Sequence, residues 1–212
     1  METKADLASL LCSRLCHDLL SPVGAMNNGL ELLADEHDPA MRERCMELLA
    51  DSARSAATKL KFFRLAFGAA GGFGPKVDPK EAKAVLEELV GMSGKTQLIW
   101  EVGDQLYPKA AIKILLNLVF MANEALVRGG QIQVGSELSE ESCEIVVAAS
   151  GTHLAFSADV EKTLLGNLRE EELDSRTAAA WMVHKLCEEN HGQILLEHPD
   201  KNMLVIGSNI KV

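Results

Sequence analysis

Within residues 13–33, SRLCHDLLSPVGAMNNGLELL, a histidine and an aspartate stand side by side at His17 and Asp18. A neutral imidazole is a good nucleophile towards phosphorus once one ring nitrogen is free of its proton. A neighbouring carboxylate that accepts a bond from the other nitrogen fixes that tautomer, and Asp18 is placed to do so. If Leu15 and Leu19 lie in a helical seam, His17 points directly away from it. Its neighbours on that face are Ser13, Ser21, Gly24 and Asn28, all small, which leaves an open patch for another protein's active site. Glycine inside a helix costs about 1 kcal/mol against alanine, so Gly24 suggests that close approach outranks local stability here.

The element that must carry this pair is legible from its periodicity. Leu11, Leu15, Leu19, Val23, Met26, Leu30 and Leu33 recur at helical spacing and predict an amphipathic helix over 5–34. A polar break follows, with Asp38 expected to cap and Pro39 suited to the first position of a second helix. That helix carries Met41, Cys45, Leu49, Ala53, Ala56, Leu60, Phe63 and Phe67 on one stripe, so the two form an antiparallel hairpin. Across the turn, the level of His17 falls near Ala57, within a turn or two of Arg54, Lys59, Lys61 and Arg64. A lone hairpin leaves part of each stripe in water. A second copy completing a two-fold four-helix bundle is the simplest cover, the other being the C-terminal part of the same chain.

The Gly- and Pro-rich run at 68–79 reads as a boundary between residues 1–70 and 76–212. Beyond it the pattern predicts helices near 79–92, 108–128, 157–166 and 174–190. It also predicts strands at TQLIWEV, GQIQVGSEL, SCEIVVAAS, GQILLEH and NMLVIGSNI. Helices segregated over a mostly antiparallel sheet make an α/β two-layer sandwich, and the chain as a whole is α+β.

Composition excludes several classes. With 47% hydrophobic and 25% charged residues the chain is an ordinary globular protein. A net charge of −10 is wrong for nucleic acid. Residues 1–70 hold 8 basic and 10 acidic side chains against 13 and 21 in the remainder, so the first part repels an acidic partner less. The apolar run at 110–127 is interrupted by Lys113, Asn117, Asn123 and Glu124, and no secretion signal is visible; the expected place is the cytoplasm. Cys12, Cys16, Cys45, Cys143 and Cys187 are scattered and read as buried thiols rather than metal ligands. Four further histidines, His37, His184, His191 and His198, show no acid-and-nucleophile arrangement; Trp100, Trp181, Met26, Met41 and Met46 read as packing.

HDLLSPV, residues 17–23, resembles the phosphoacceptor motif of sensor histidine kinases, H-[ED]-L-R-T-P-L, with Leu20 in place of the usual arginine. LLNLVFMANEAL is similar to the kinase asparagine box, and WMVHKLCEENHGQILLE to the helix and strand after the last glycine-rich box. The departures fall on the nucleotide site. Met121 stands where the family places its Mg²⁺-holding asparagine, and a thioether is a poor ligand for that hard ion. Ala149 and His153 replace the aspartate and a glycine of the adenine box, and SRTAAA replaces the last glycines. The combination resembles the ChpT-type histidine phosphotransferases of alphaproteobacteria, with the spore-formation phosphotransferases sharing the architecture.

That resemblance implies a dimeric helical-hairpin phosphotransfer domain joined to a degenerate histidine kinase ATPase domain that binds no ATP. It implies His17 as phosphoacceptor in a phosphorelay of the cell cycle, oriented by Asp18. Receiver docking would involve Ser13, Arg14, Ser21, Gly24, Asn28, Lys59, Lys61 and Arg64. The implied partners are the receiver of a CckA-like hybrid kinase and CtrA-like and CpdR-like response regulators, with no cofactor of its own and Mg²⁺ supplied by the receiver. Two other readings stay open: an ATP-dependent kinase with an atypical pocket, and a non-catalytic dimeric adaptor.

Overall fold

The computed structural model describes residues 4–68 and 74–212; part of the glycine-rich run expected as a boundary lies outside the described residues. The two predicted helices are α1, Lys4–Asp35, and α2, Pro39–Ala66, packed side by side along their length. Gly29 makes that contact close, since a Cβ there would meet Leu49 Cδ2 at 3.0 Å. Pro39 takes the first position of α2 as expected, but the Asp38 side chain makes no cap bond. Glu36 Oε1 instead accepts from the backbone N–H groups of His37 and Asp38, and Arg42 donates to the carbonyls of Leu33 and Glu36. These groups supply the partners that a tight turn between helices otherwise lacks.

The second half is a sheet with helices on one face. Strand β1, Lys76–Val77, precedes α3, Pro79–Gly91, whose cap Asp78 accepts from Lys80 N at 2.9 Å. Then come β2, Thr96–Glu101, β3, Tyr107–Pro108, and α4, Lys109–Ala125. The hairpin β4, Gly130–Leu138, and β5, Ser142–Ser150, leads to α5, Ala158–Leu164, and α6, Ala178–Glu189. Strands β6, Gln193–Asp200, and β7, Met203–Lys211, close the chain. The five long strands run in the order β2-β4-β5-β7-β6, with β2 parallel to β4 and every other pair antiparallel. Burial alternates along β5 and β7, so one face of the sheet lies under the helices and the other meets water.

Two details depart from the sequence reading. The short antiparallel pair β1–β3 was not expected, because two-residue strands have no periodicity to read. Helix α6 begins at Ala178 rather than near 174, because residues 174–177 close a turn of their own. There Asp174 Oδ1 accepts from the N–H groups of Arg176 and Thr177, and Thr177 Oγ1 accepts from Asp174 N.

The core is continuous from one half into the other. Phe62, Phe63, Leu65 and Ala66 on the last turns of α2 are buried in the same cluster as Leu86 of α3, Leu116 and Phe120 of α4, and Ile132, Val147 and Ile206 of the sheet. The Phe62 and Phe120 rings lie 4.9 Å apart, and Phe63 stacks on Phe67 at 5.2 Å. The hairpin therefore stands on the second half with its lower end inside that half's core. No helix among the described residues is long and apolar enough to cross a membrane.

Candidate functional site

On α1, His17 is the exposed member of a paired arrangement. Its side chain keeps 73% of its surface in water, while that of Asp18 keeps 14%. His17 Nδ1 lies 3.1 Å from Asp18 Oδ1. A carboxylate only accepts, so this contact is made with the proton on Nδ1, leaving the Nε2 lone pair directed to solvent. The arrangement presents to solvent an imidazole whose other nitrogen is engaged by a carboxylate.

Pro22 sits inside α1 and has no N–H, so the Asp18 carbonyl loses its helical donor from four residues on. Lys59 Nζ, from α2, donates to that oxygen at 3.0 Å. The lysine is thereby held at the level of His17 and Asp18 by the same proline that interrupts the helix ladder. Ser21, Pro22 and Ala25 on α1 face Ser52, Ser55 and Lys59 on α2 across an open groove of about 410 Å³, with Met92 at its end.

The expected docking residues distribute as follows. Ser13, Ser21 and Asn28 are exposed, and nothing lies within 4 Å of the Cβ that Gly24 would carry. Lys59 reaches the site. Lys61 pairs with Glu88 of α3 at 3.2 Å, and Arg64 with Glu81 of the same helix, though both cations remain more than half exposed. Arg54 pairs with Asp51.

Arg14 is a correction. Expected on the docking surface, it is buried with 9% of its side chain exposed, under the second half of the chain. Its Nε donates to Asp18 Oδ2 at 2.8 Å, its Nη2 donates to Glu124 Oε1 of α4, and its guanidinium lies 5.0 Å from the centroid of the Phe120 ring. Burial works against the guanidinium charge, but the carboxylates of Glu124 and Asp18 outweigh it and raise the Arg14 pKa above its ordinary value. Cys12 and Cys16 are a second correction, being exposed rather than buried. They lie at helical spacing from Val23 and Leu30, which are exposed too, whereas Cys45, Cys143 and Cys187 are buried as expected.

Where the resemblance places a nucleotide site, several side chains turn inward, while His153 and Arg176 stay exposed. Asn117 is fully buried, its Nδ2 donating to the Lys113 carbonyl and its Oδ1 without a partner among the described residues. Met121 and Ala149 are buried, and Ala178, Ala179 and Ala180 bury the start of α6, which packs on α4. Among the described residues no group of three His, Cys, Asp or Glu side chains is placed to hold a metal ion. Glu124 and Phe120 were missed as site residues; they lie over a hundred positions from His17 and carry no local signal.

Comparison with known proteins gives this arrangement a context. Residues 79–202 match the family model described as the histidine phosphotransferase C-terminal domain. The chain is 39% identical over 184 residues to protein phosphotransferase ChpT of Brucella abortus (strain 2308), covering 87% of this chain and 86% of that one. The solved structure titled as a bacterial phosphotransferase at 1.7 Å superposes with a TM-score of 0.87 at 35% identity, over 98% of each chain. The full-length ShkA structure shares the fold alone, with a TM-score of 0.50 at 16% identity over 99% of this chain and 46% of its own. The chain therefore belongs to the ChpT-type histidine phosphotransferase family and is a histidine phosphotransferase.

Proposed function

We propose that His17 is the phosphoryl carrier of a cytoplasmic phosphorelay. It takes the group from the aspartyl phosphate of a hybrid kinase receiver like that of CckA and passes it to response-regulator receivers like those of CtrA and CpdR, in cell-cycle control. The observation that carries this reading is an exposed imidazole whose Nδ1 is engaged by Asp18, surrounded by small side chains. The Nε2 lone pair attacks phosphorus in line. A P–N bond forms as the P–O bond to the receiver carboxylate breaks, and the carboxylate leaves with the electron pair. The proton stays on Nδ1, and the imidazolium charge created faces Asp18. A second receiver carboxylate then attacks phosphorus, the P–N bond breaks, and neutral imidazole returns. The receiver's own acidic cluster brings Mg²⁺, and this chain uses neither nucleotide nor metal.

Docking occurs on the patch of Ser13, Ser21, Gly24 and Asn28 and the adjoining groove. Lys59 lies nearest the transferred group, and Lys61 and Arg64 stand at the rim. The working unit is a homodimer. Val23 and Leu30 on α1, with Met46 and Leu60 on α2, are exposed apolar residues at helical spacing that α1 and α2 do not cover for each other. A second copy covers both stripes in a four-helix bundle.

The test uses a receiver phosphorylated beforehand, mixed with wild type or His17→Ala, beside a tube holding ATP and Mg²⁺ alone. Acid-labile label on wild type, absent from the variant and from the ATP tube, is the expected result. Label in the ATP tube makes the protein a kinase, and label on His17→Ala removes His17 as carrier.

A further inference from the structure

We infer that Glu124, on α4 of the sheet half, is a positioning residue for phosphoryl transfer: by occupying one tine of the Arg14 fork it keeps Asp18 available to His17. The inference rests on the reading of His17 as carrier. It assigns to the second half of the chain a positioning part in the chemistry of the hairpin.

The argument starts from the geometry of arginine. The Nε–H and one Nη–H of a guanidinium point the same way and form a planar fork, whose preferred partner is a single carboxylate taken by both oxygens. Arg14 does not bind Asp18 that way. Only Nε reaches Asp18, through Oδ2 at 2.8 Å, and Nη2 goes to Glu124 Oε1. Asp18 therefore keeps Oδ1 for His17 Nδ1, 3.1 Å away. Each carboxylate takes one tine, and the second oxygen of Asp18 is left for the imidazole.

The guanidinium cannot leave the competition by swinging into water. It is buried, fixed from one side by α1 and held 5.0 Å over the Phe120 ring of α4. A buried charge that loses one acceptor seeks another nearby, because an unmet donor there costs more than it does in water. After removal of Glu124 the acceptor beside the fork is Asp18 Oδ1, the oxygen that now engages His17 Nδ1. Two-pronged capture by Arg14 rotates the Asp18 carboxylate and draws Oδ1 off His17. The imidazole then loses the partner that keeps its proton on Nδ1, and the population with a free Nε2 falls. The hydrogen bond of Glu124 is made with Arg14 and not with His17, so it acts on the imidazole through Arg14 and Asp18.

Two features make this more than a salt bridge between halves. The hairpin's ion pairs to α3, Lys61 with Glu88 and Arg64 with Glu81, join exposed side chains of α2 rather than α1. The Arg14–Glu124 pair alone among these ends on the residue that touches the nucleophile. Glu124 also sits on the helix whose Asn117 and Met121 are turned into the core, and it gives that helix a polar contact with α1.

The test compares full-length wild type, Glu124→Ala, Glu124→Gln and the double variant Arg14→Met/Glu124→Ala. Single-turnover transfer from a phosphorylated receiver is measured across receiver concentrations, with ¹⁵N shifts of the His17 ring read by NMR. Glu124→Ala is expected to lower the maximal rate about tenfold, leave the half-saturating receiver concentration within about twofold, and shift the ring away from the Nδ1–H tautomer. Glu124→Gln retains an oxygen that accepts from Nη2, and is expected to recover most of the rate. The double variant removes the competitor for Asp18 and is expected to transfer faster than Glu124→Ala; it also keeps the test alive if the single variant leaves an unpaired buried charge and fails to fold.

An unchanged rate and tautomer in Glu124→Ala, equal losses in Ala and Gln, or a double variant no faster than the single one each overturn the inference. Those outcomes are separable from failure of the carrier reading, which shows itself as label on His17→Ala or no label on wild type.

Discussion

Lys59 Nζ donates to the Asp18 carbonyl oxygen at 3.0 Å, supplying the hydrogen bond that Pro22 cannot make. A proline inside the helix and a lysine on its neighbour are thus one unit. Lys59→Ala is expected to cost about 1 kcal/mol in urea unfolding, the usual net worth of one such bond. In a Pro22→Ala background, where the new N–H returns the helical bond, that cost should vanish; a double-mutant cycle showing additive effects refutes the pairing.

Asp18→Asn keeps shape and removes charge. Arg14 Nε requires an acceptor and will hold the amide oxygen, which turns the NH₂ towards His17 Nδ1. The imidazole must then accept at Nδ1 and carry its proton on Nε2, the nitrogen that attacks. Transfer at saturating receiver should fall by at least about 10²-fold, with receiver affinity little changed. A loss confined to affinity contradicts the orienting role.

Gly24→Ala should separate stability from docking. Its Cβ meets nothing within 4 Å in this chain, so relief of the helix penalty should stabilise the protein by about 1 kcal/mol. If the receiver comes close at this patch, the added methyl raises its dissociation constant in isothermal titration. Unchanged affinity in a stabilised variant moves docking elsewhere on the hairpin.

Acid should loosen the contact between hairpin and α3. The Glu88 carboxyl is held below the usual carboxylate range, first by its hydrogen bond from Lys61 and next by that from Thr58. A folded-state pKa below the unfolded one adds stability above about pH 4.3, and that contribution disappears as pH falls through the folded value. The melting-temperature gap between wild type and Glu88→Gln should be present near neutral pH and close under acid. A gap that widens in acid reverses the assignment.

Leu60→Glu places a charge on the exposed stripe of α2 that includes Met46. Light scattering at micromolar concentration should then give a monomer where wild type gives a dimer. A wild-type monomer, or a dimer that tolerates the glutamate, removes this surface as the interface.

Much of this was legible from periodicity. The alternation in GQIQVGSEL and SCEIVVAAS reports which face of the sheet is buried, because burial selects side chains at strand spacing, while the stripe of α1 reports the helix but not its cover, since Val23 and Leu30 stay exposed. His17 and Asp18 stand out in the sequence because they sit side by side off the apolar stripe among small residues. What escaped depends on contacts between distant residues. Arg14 reads as a surface cation, since nothing near it tells that α4 will close over it with Phe120 and Glu124. The partners of Lys61 and Arg64 lie across the loop on α3. Cys12 and Cys16 look like core thiols because an apolar stripe awaiting cover has the composition of one already covered.

The aromatic junction of Phe62, Phe63 and Phe67 with Phe120 bears on engineering. The hairpin is not an interchangeable cassette. A chimera joined near residue 68 that brings a foreign second half must also bring a ring at the place of Phe120, or two phenylalanines face a mismatched surface. Swaps meant to redirect phosphate traffic are therefore better made on the outer face of α1, between Ser13 and Asn28, where side chains are exchanged without disturbing the joint on which the helices stand.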